Sequence, residues 1–177
     1  KIWQSIVDCD SENKNKNHLI LEDDVEFHPS IARQFKERWE HVPSDWELVY
    51  FGGVDLLRDG KPPRPFISEG VRYAYKGHRE LTAYVLNTKS AKLCLEMTKP
   101  MTWQIDTHIC MNCKWQEEAK DEFIASPLSY CFQPALAIQV AKFGTDVQKQ
   151  HEGVEKASLT DASRRMREFV GGETSVR

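Results

Sequence analysis

Glu22, Asp23 and Asp24 stand side by side directly after the apolar run His18-Leu19-Ile20-Leu21. Adjacent carboxylates repel one another, and at the half-buried end of a strand that repulsion raises their pKa values unless a cation or hydrogen-bond donors offset it. A divalent cation is the direct remedy. Carboxylate oxygens are hard ligands suited to Mg²⁺ or Mn²⁺, and such ions take one or two protein carboxylates and leave their other positions to water and phosphate oxygens. The competing reading is a solvated turn, since acidic runs usually face water. Val25 and Phe27 follow the run as the apolar strand precedes it, and an acidic loop in free solvent is not normally bracketed by core residues. The context favours a metal site.

Cys110 and Cys113 form a C-x-x-C with His108 just before it, but no second cysteine pair follows at zinc-site spacing. Two ordinary thiols on a buried helix face are therefore expected. The full set of five cysteines is odd in number, in a chain long enough to fold without staples, and points to free thiols in a reducing compartment.

The acidic run needs elements to hold it. His18 to Leu21 reads as a buried strand stopping at its carboxyl end, and in open α/β sheets ligands bind in the crevice beyond such ends. Before it, Ile2, Trp3, Ile6 and Val7 cluster at helical spacing, followed by a polar loop from Asp10 to Asn17. After it, Ile31, Phe35 and Trp39 repeat every four residues, an amphipathic helix ending near Pro43. Glu47 to Phe51 predicts a second buried strand closed by Gly52-Gly53, with a Pro-, Gly- and Arg-rich loop from Asp55 to Pro65. Val71 to Tyr75 and Thr82 to Leu86 are β-prone, with a turn at Lys76-Gly77-His78 between them. Thr88 is placed to cap a helix running through Leu93 and Met97 to Pro100, and Asp106 to open another over Thr107 to Trp115. Tyr130-Cys131-Phe132 and Ala137 to Val140 supply the last strands. The tail beyond Lys142 is polar, apart from a short amphipathic segment holding Leu159, Met166, Phe169 and Val170. Alternating strands and helices at this spacing predict an α/β layered domain with a largely parallel sheet flanked by helices.

A chain of 177 residues, 40% hydrophobic, suits one domain over 1–177, with 147–177 as a polar C-terminal extension. The net charge of -3 carries no basic excess of the kind that drives binding to nucleic acid. No stretch approaches the roughly 18 consecutive apolar residues of a membrane span. The sequence starts without Met inside an amphipathic helix, so further residues are expected upstream.

The run His18 to Phe27, the segment Asp45-Trp46-Glu47-Leu48-Val49-Tyr50-Phe51-Gly52, the segment Thr82 to Asn87 followed by Ala91, and Gln104-Ile105-Asp106 together resemble glycosyltransferase family 25. This family includes bacterial lipooligosaccharide and collagen galactosyltransferases. The resemblance spans roughly residues 1–146 and rests on the order and spacing of the pieces. It implies a GT-A type, Rossmann-like nucleotide-sugar transferase fold, a nucleotide-sugar donor such as a UDP-hexose, and transfer with inversion to a glycan or glycoprotein hydroxyl. A first strand and Arg-containing loop that contact the nucleotide in that family have no counterpart in this sequence. By the resemblance, Glu22 and Asp24 take the outer positions of a D-x-D-like motif around Mn²⁺ or Mg²⁺. Asp24 is then the direct ligand, Glu22 lies nearer the ribose or a metal-bound water, and Asp23 sits between them.

Inversion needs a general base on the acceptor side, and Asp106 matches the family's acid there. A plain helix N-cap is the equal alternative. His108 is a candidate to assist metal or acceptor, against a structural role. Gly52 and Gly53 would let the chain pass close to the acceptor, against a bare turn. Tyr84 and Trp46 would stack on sugar faces, against core packing. Asp146 and His151 correspond to the family's acidic position near its end, although this sequence has Gly144-Thr145-Asp146-Val147 where the family tends to have Ser-Asp. Arg164, Arg165 and Arg167 would neutralise diphosphate, against a solvated helix face.

Two other functions fit the same residues: a metal-dependent phosphohydrolase, and a non-catalytic carbohydrate-binding or scaffold domain of the same fold. A cytoplasmic location accords with the cysteines and with bacterial and viral members of the family. The secretory-pathway lumen, where the collagen-modifying members reside, is the alternative.

Overall fold

The computed structural model describes residues 1–9, 15–55, 64–115 and 123–140. Asp146, His151, the arginines of the tail and the 147–177 extension lie outside the described residues.

The amphipathic start forms helix α1 (Ile2–Cys9), which buries Trp3 and Ile6. Strand β1 (Asn17–Leu21) then leads through the acidic turn into β2 (Val25–Phe27) and helix α2 (Ile31–Trp39). Strand β3 (Leu48–Tyr50) is wholly buried, and β4 (Val54–Asp55) follows the glycine pair. Next come β5 (Val71–Tyr73), β6 (His78–Arg79) and β7 (Ala83–Asn87), with the expected turn at Lys76-Gly77-His78. Helix α3 (Thr88–Met97) and helix α4 (Ile105–Met111) complete the helices of the described residues. The chain closes with β8 (Cys113–Trp115), β9 (Phe123–Ala125), β10 (Ser129–Phe132) and β11 (Ala137–Gln139).

A mixed sheet of five strands in the order β1-β7-β3-β10-β5 organises the domain. The expectation of a largely parallel sheet is corrected. Among the described residues only β3 and β10 pair in parallel, while β1 with β7, β7 with β3 and β10 with β5 are antiparallel. Strands β1, β3 and β10 thus run one way, and β7 and β5 run the other. Strands buried on both faces read as unbroken apolar runs whichever way they point, so the pattern in Ala83–Asn87 reports burial and not direction.

Side chains alternate across this sheet into two cores. On one face Leu48, Tyr50, Tyr84, Leu86 and Ile20 pack with Trp3 and Ile6 of α1, Ala91 and Cys94 of α3, and Ile109 of α4. On the other, Val49, Phe51, Val85 and Phe132 meet Ile31, Phe35 and Trp39 of α2. Phe35 stacks on Phe51 at 5.3 Å and meets Phe132 edge-on at 6.0 Å. Full burial of side chains of this size contributes about 1.5–3 kcal/mol each.

Tyr84 belongs to the first core. It is 5% exposed, and its hydroxyl accepts a hydrogen bond from Trp3 Nε1 at 3.0 Å. Trp46 packs edge-on against Trp39 at 5.3 Å. Of the two readings of these aromatics, the structure supports core packing.

Three local expectations are corrected. Asn87, not Thr88, caps α3, with its Oδ1 accepting from the Ser90 N–H at 2.9 Å. Helix α4 starts at Ile105 with Gln104 at the cap position, so Asp106 lies inside the first turn. It also stops at Met111: Asn112 is extended, and the following residues pair as β8 with β9. Cys110 and Cys113 therefore occupy a helix and a strand rather than one helix face, and both are free thiols. No described helix is long and apolar enough to cross a membrane.

Candidate functional site

Strand β1 carries Glu22 to the sheet's rim. The ladder with β7 continues one residue past the strand, where the Glu22 N–H donates to the Thr82 carbonyl at 2.9 Å. Glu22 and Asp23 are exposed, and Asp24 is half-buried. The turn then feeds β2, which pairs with β11 in the register Val25 to Gln139. That pairing clamps Asp24 twice. Its carbonyl accepts from the Val140 N–H at 2.9 Å, and its Oδ2 accepts from Gln139 Nε2 at 2.7 Å.

The other carboxylate oxygen of Asp24, Oδ1, is buried with no hydrogen-bond partner among the described residues. An unsatisfied buried acceptor costs about 1–3 kcal/mol, and more when it is charged. A rigidly held carboxylate with one bare oxygen suits a cation. Glu22 beside it has its pKa raised, first by partial burial, then by the charges of Asp24, Asp106 and Asp23. The charge of Asp106 is felt at Glu22, so the first turn of α4 faces the same rim. Removing that repulsion is what a divalent ion would do.

Among the described residues, no three His, Cys, Asp or Glu side chains form a metal cage. Asp24 with Glu22 still fits an ion that takes one or two carboxylates and fills its sphere with water and phosphate oxygens.

Asp106 has a partner that the sequence pattern did not reveal. Arg79 of β6 grips it with both arms, Nε to Oδ2 at 2.9 Å and Nη2 to Oδ1 at 3.3 Å. Arg79 Nη2 also donates to Gln104 Oε1 at 3.1 Å, and the Thr107 N–H donates to Asp106 Oδ1 at 2.6 Å. Asp106 is thus an oriented carboxylate in the first turn rather than a cap. No local signal marks Arg79, because its partner lies 27 residues away.

Gly52 and Gly53 serve the frame. Gly52 and Gly53 are packed against the chain's own atoms: a Cβ on Gly52 would lie 2.2 Å from the Ala137 carbonyl oxygen. One on Gly53, whose φ is +107°, would lie 2.5 Å from the Arg79 oxygen and 2.6 Å from His78 Nε2. The structural reading of the pair is the one these contacts support. His78 Nε2 donates to the Gly52 carbonyl at 3.1 Å, and its ring meets Tyr50 edge-on at 4.7 Å. Burial lowers its pKa to about 4, so it stays neutral. His108 is half-buried on α4, with Nδ1 buried and without a hydrogen-bond partner among the described residues. Among the described residues its ring makes no hydrogen bond or ion pair to the carboxylates.

A cavity of about 560 Å³ runs along α2, lined by residues including Gln34, Arg38, His41, Phe66 and Gln133. It shares no residue with the acidic rim, and its ionic side chains include an internal pair, Arg33 with Glu37 at 3.4 Å. The chemistry points to the rim. No known protein-family model matches the chain.

Proposed function

We propose that this chain is the metal- and diphosphate-binding part of a glycosyltransferase of GT-A type, moving a hexose from a nucleotide sugar to an acceptor hydroxyl with inversion. One observation carries the reading: Asp24, clamped by Gln139, presents a buried bare carboxylate oxygen next to the electrostatically strained Glu22. The resemblance of four ordered segments to glycosyltransferase family 25 supports it. Asp24 and Glu22 would hold Mn²⁺ or Mg²⁺, which supplies charge neutralisation for the leaving diphosphate.

The chain's own residues then do the rest. Asp24 fixes the site in position through β11. Asp106 orients the acceptor hydroxyl and takes its proton as the oxygen attacks the anomeric carbon. The bond to the donor's diphosphate breaks, and its electron pair leaves with the diphosphate.

Incubation with UDP-galactose or UDP-glucose, Mn²⁺ and a panel of glycan acceptors tests the proposal. It predicts UDP release that requires both metal and acceptor. Phosphate-ester cleavage without acceptor would instead favour a phosphohydrolase, and binding of glycans with no turnover a carbohydrate-binding domain.

A further inference from the structure

Arg79 is the one described cation that grips a carboxylate of this rim with both arms of its guanidinium. Its backbone is held as firmly as its side chain. The segment pairs with β4 in the register Val54 to Arg79, the Arg79 carbonyl abuts Gly53, and buried His78 anchors the preceding residue through the Gly52 carbonyl. The following residue, Glu80, is forced to a φ of +79°, a conformation most side chains avoid, so the chain leaves Arg79 by a single route. The pair is also shielded, its side chains being 32% and 21% exposed.

We infer that Arg79 is the positioning residue of the acidic rim: it fixes the Asp106 carboxylate and, lying just before the Thr82 carbonyl that receives the Glu22 N–H, weakens the rim's hold on a divalent cation through its positive charge. The inference rests on the proposed function. Two effects of losing Arg79 act in the same direction. A positive charge that repels the ion disappears, and Asp106 becomes free to turn toward Glu22 and Asp24. A two-pronged guanidinium is the group suited to fix a carboxylate's plane, which a lysine's point charge cannot do.

The test is a Mn²⁺ titration of the whole chain, followed by the paramagnetic resonance of free Mn²⁺, on the wild type and on Arg79→Gln, Arg79→Lys, Asp106→Asn and the Gln/Asn double variant. Melting curves verify that each is folded. Arg79→Gln should bind Mn²⁺ about three- to tenfold tighter, the effect of removing one positive charge from a partly screened site. Arg79→Lys should stay within about twofold of wild type, because the charge is kept. In the Asp106→Asn background the effect of Arg79→Gln should shrink, since coupled residues are not additive. A folded Arg79→Gln with unchanged or weaker Mn²⁺ affinity overturns the inference and leaves the proposed function standing. Wild-type chain that binds no Mn²⁺ overturns both. If Arg79→Gln does not fold, Asp106→Asn decides: an Arg79 charge no longer balanced by its carboxylate should weaken Mn²⁺ binding about tenfold or more, and unchanged affinity there overturns the inference.

Discussion

The middle of the sheet and its rim at Glu22 follow opposite rules. In the middle, Leu48, Val49 and Tyr50 are at most 2% exposed, and polar groups find partners, as Trp3 does with Tyr84 and Tyr130 with Asp45. At the rim, one Asp24 oxygen is buried without a hydrogen-bond partner among the described residues, and Glu22 is pushed toward protonation by burial and then by three neighbouring acids. The middle stores stability, and the rim gives some of it up. Local conflict of this kind, surrounded by consistent packing, is where a ligand is expected to supply what the chain lacks.

Breaking the middle should have the largest effect. Phe132→Ala removes a fully buried ring that meets Phe35 and Phe51, and should destabilise the fold by about 3–5 kcal/mol in urea denaturation. Mn²⁺ affinity of the molecules that remain folded should be unchanged. A change in that affinity would show the two regions to be coupled.

The pH dependence of stability sharpens the same contrast. His78 has a folded pKa of about 4 against an ordinary value of 6.5, because burial disfavours its charge. Its contribution is therefore complete above about pH 6.5 and is lost as the unfolded chain takes up the proton on the way down to about 4. The loss is on the order of 3 kcal/mol, measurable by urea denaturation at stepped pH, and His78→Asn should flatten the slope between pH 6.5 and 5.

Glu22 has the opposite sign. Its raised pKa means that its contribution is present below the ordinary carboxyl range and lost as pH rises through the folded value. At neutral pH Glu22→Gln should thus raise the melting temperature slightly, by about 1 °C given its exposure to solvent. Mn²⁺ binding should weaken about tenfold in the same variant. A loss of stability would mean that the rim is not strained.

Much of the frame was legible because it is written locally. Ile31, Phe35 and Trp39 mark α2 by their spacing, and the abrupt end of His18 to Leu21 at carboxylates places Glu22 at a strand's limit. Strand direction was not legible, because β7 between β1 and β3 is buried on both faces and carries no polarity in its pattern. The break after Met111 escaped notice because Cys113 to Trp115 is held extended by pairing with β9, a contact made across the intervening chain. Arg79 was hidden for the same reason. Its meaning lies in Asp106 and Gln104, which a different element delivers.

On the proposed function, Asp24 and Glu22 together hold a divalent ion that grips a nucleotide diphosphate. Calorimetric titration of UDP into the chain, with Mn²⁺ and with chelator, in wild type and Asp24→Asn, tests it most directly. UDP binding should require Mn²⁺ and fall about 100-fold in Asp24→Asn, with the melting curve nearly unchanged. UDP binding indifferent to Mn²⁺, or equally tight in Asp24→Asn, would contradict it.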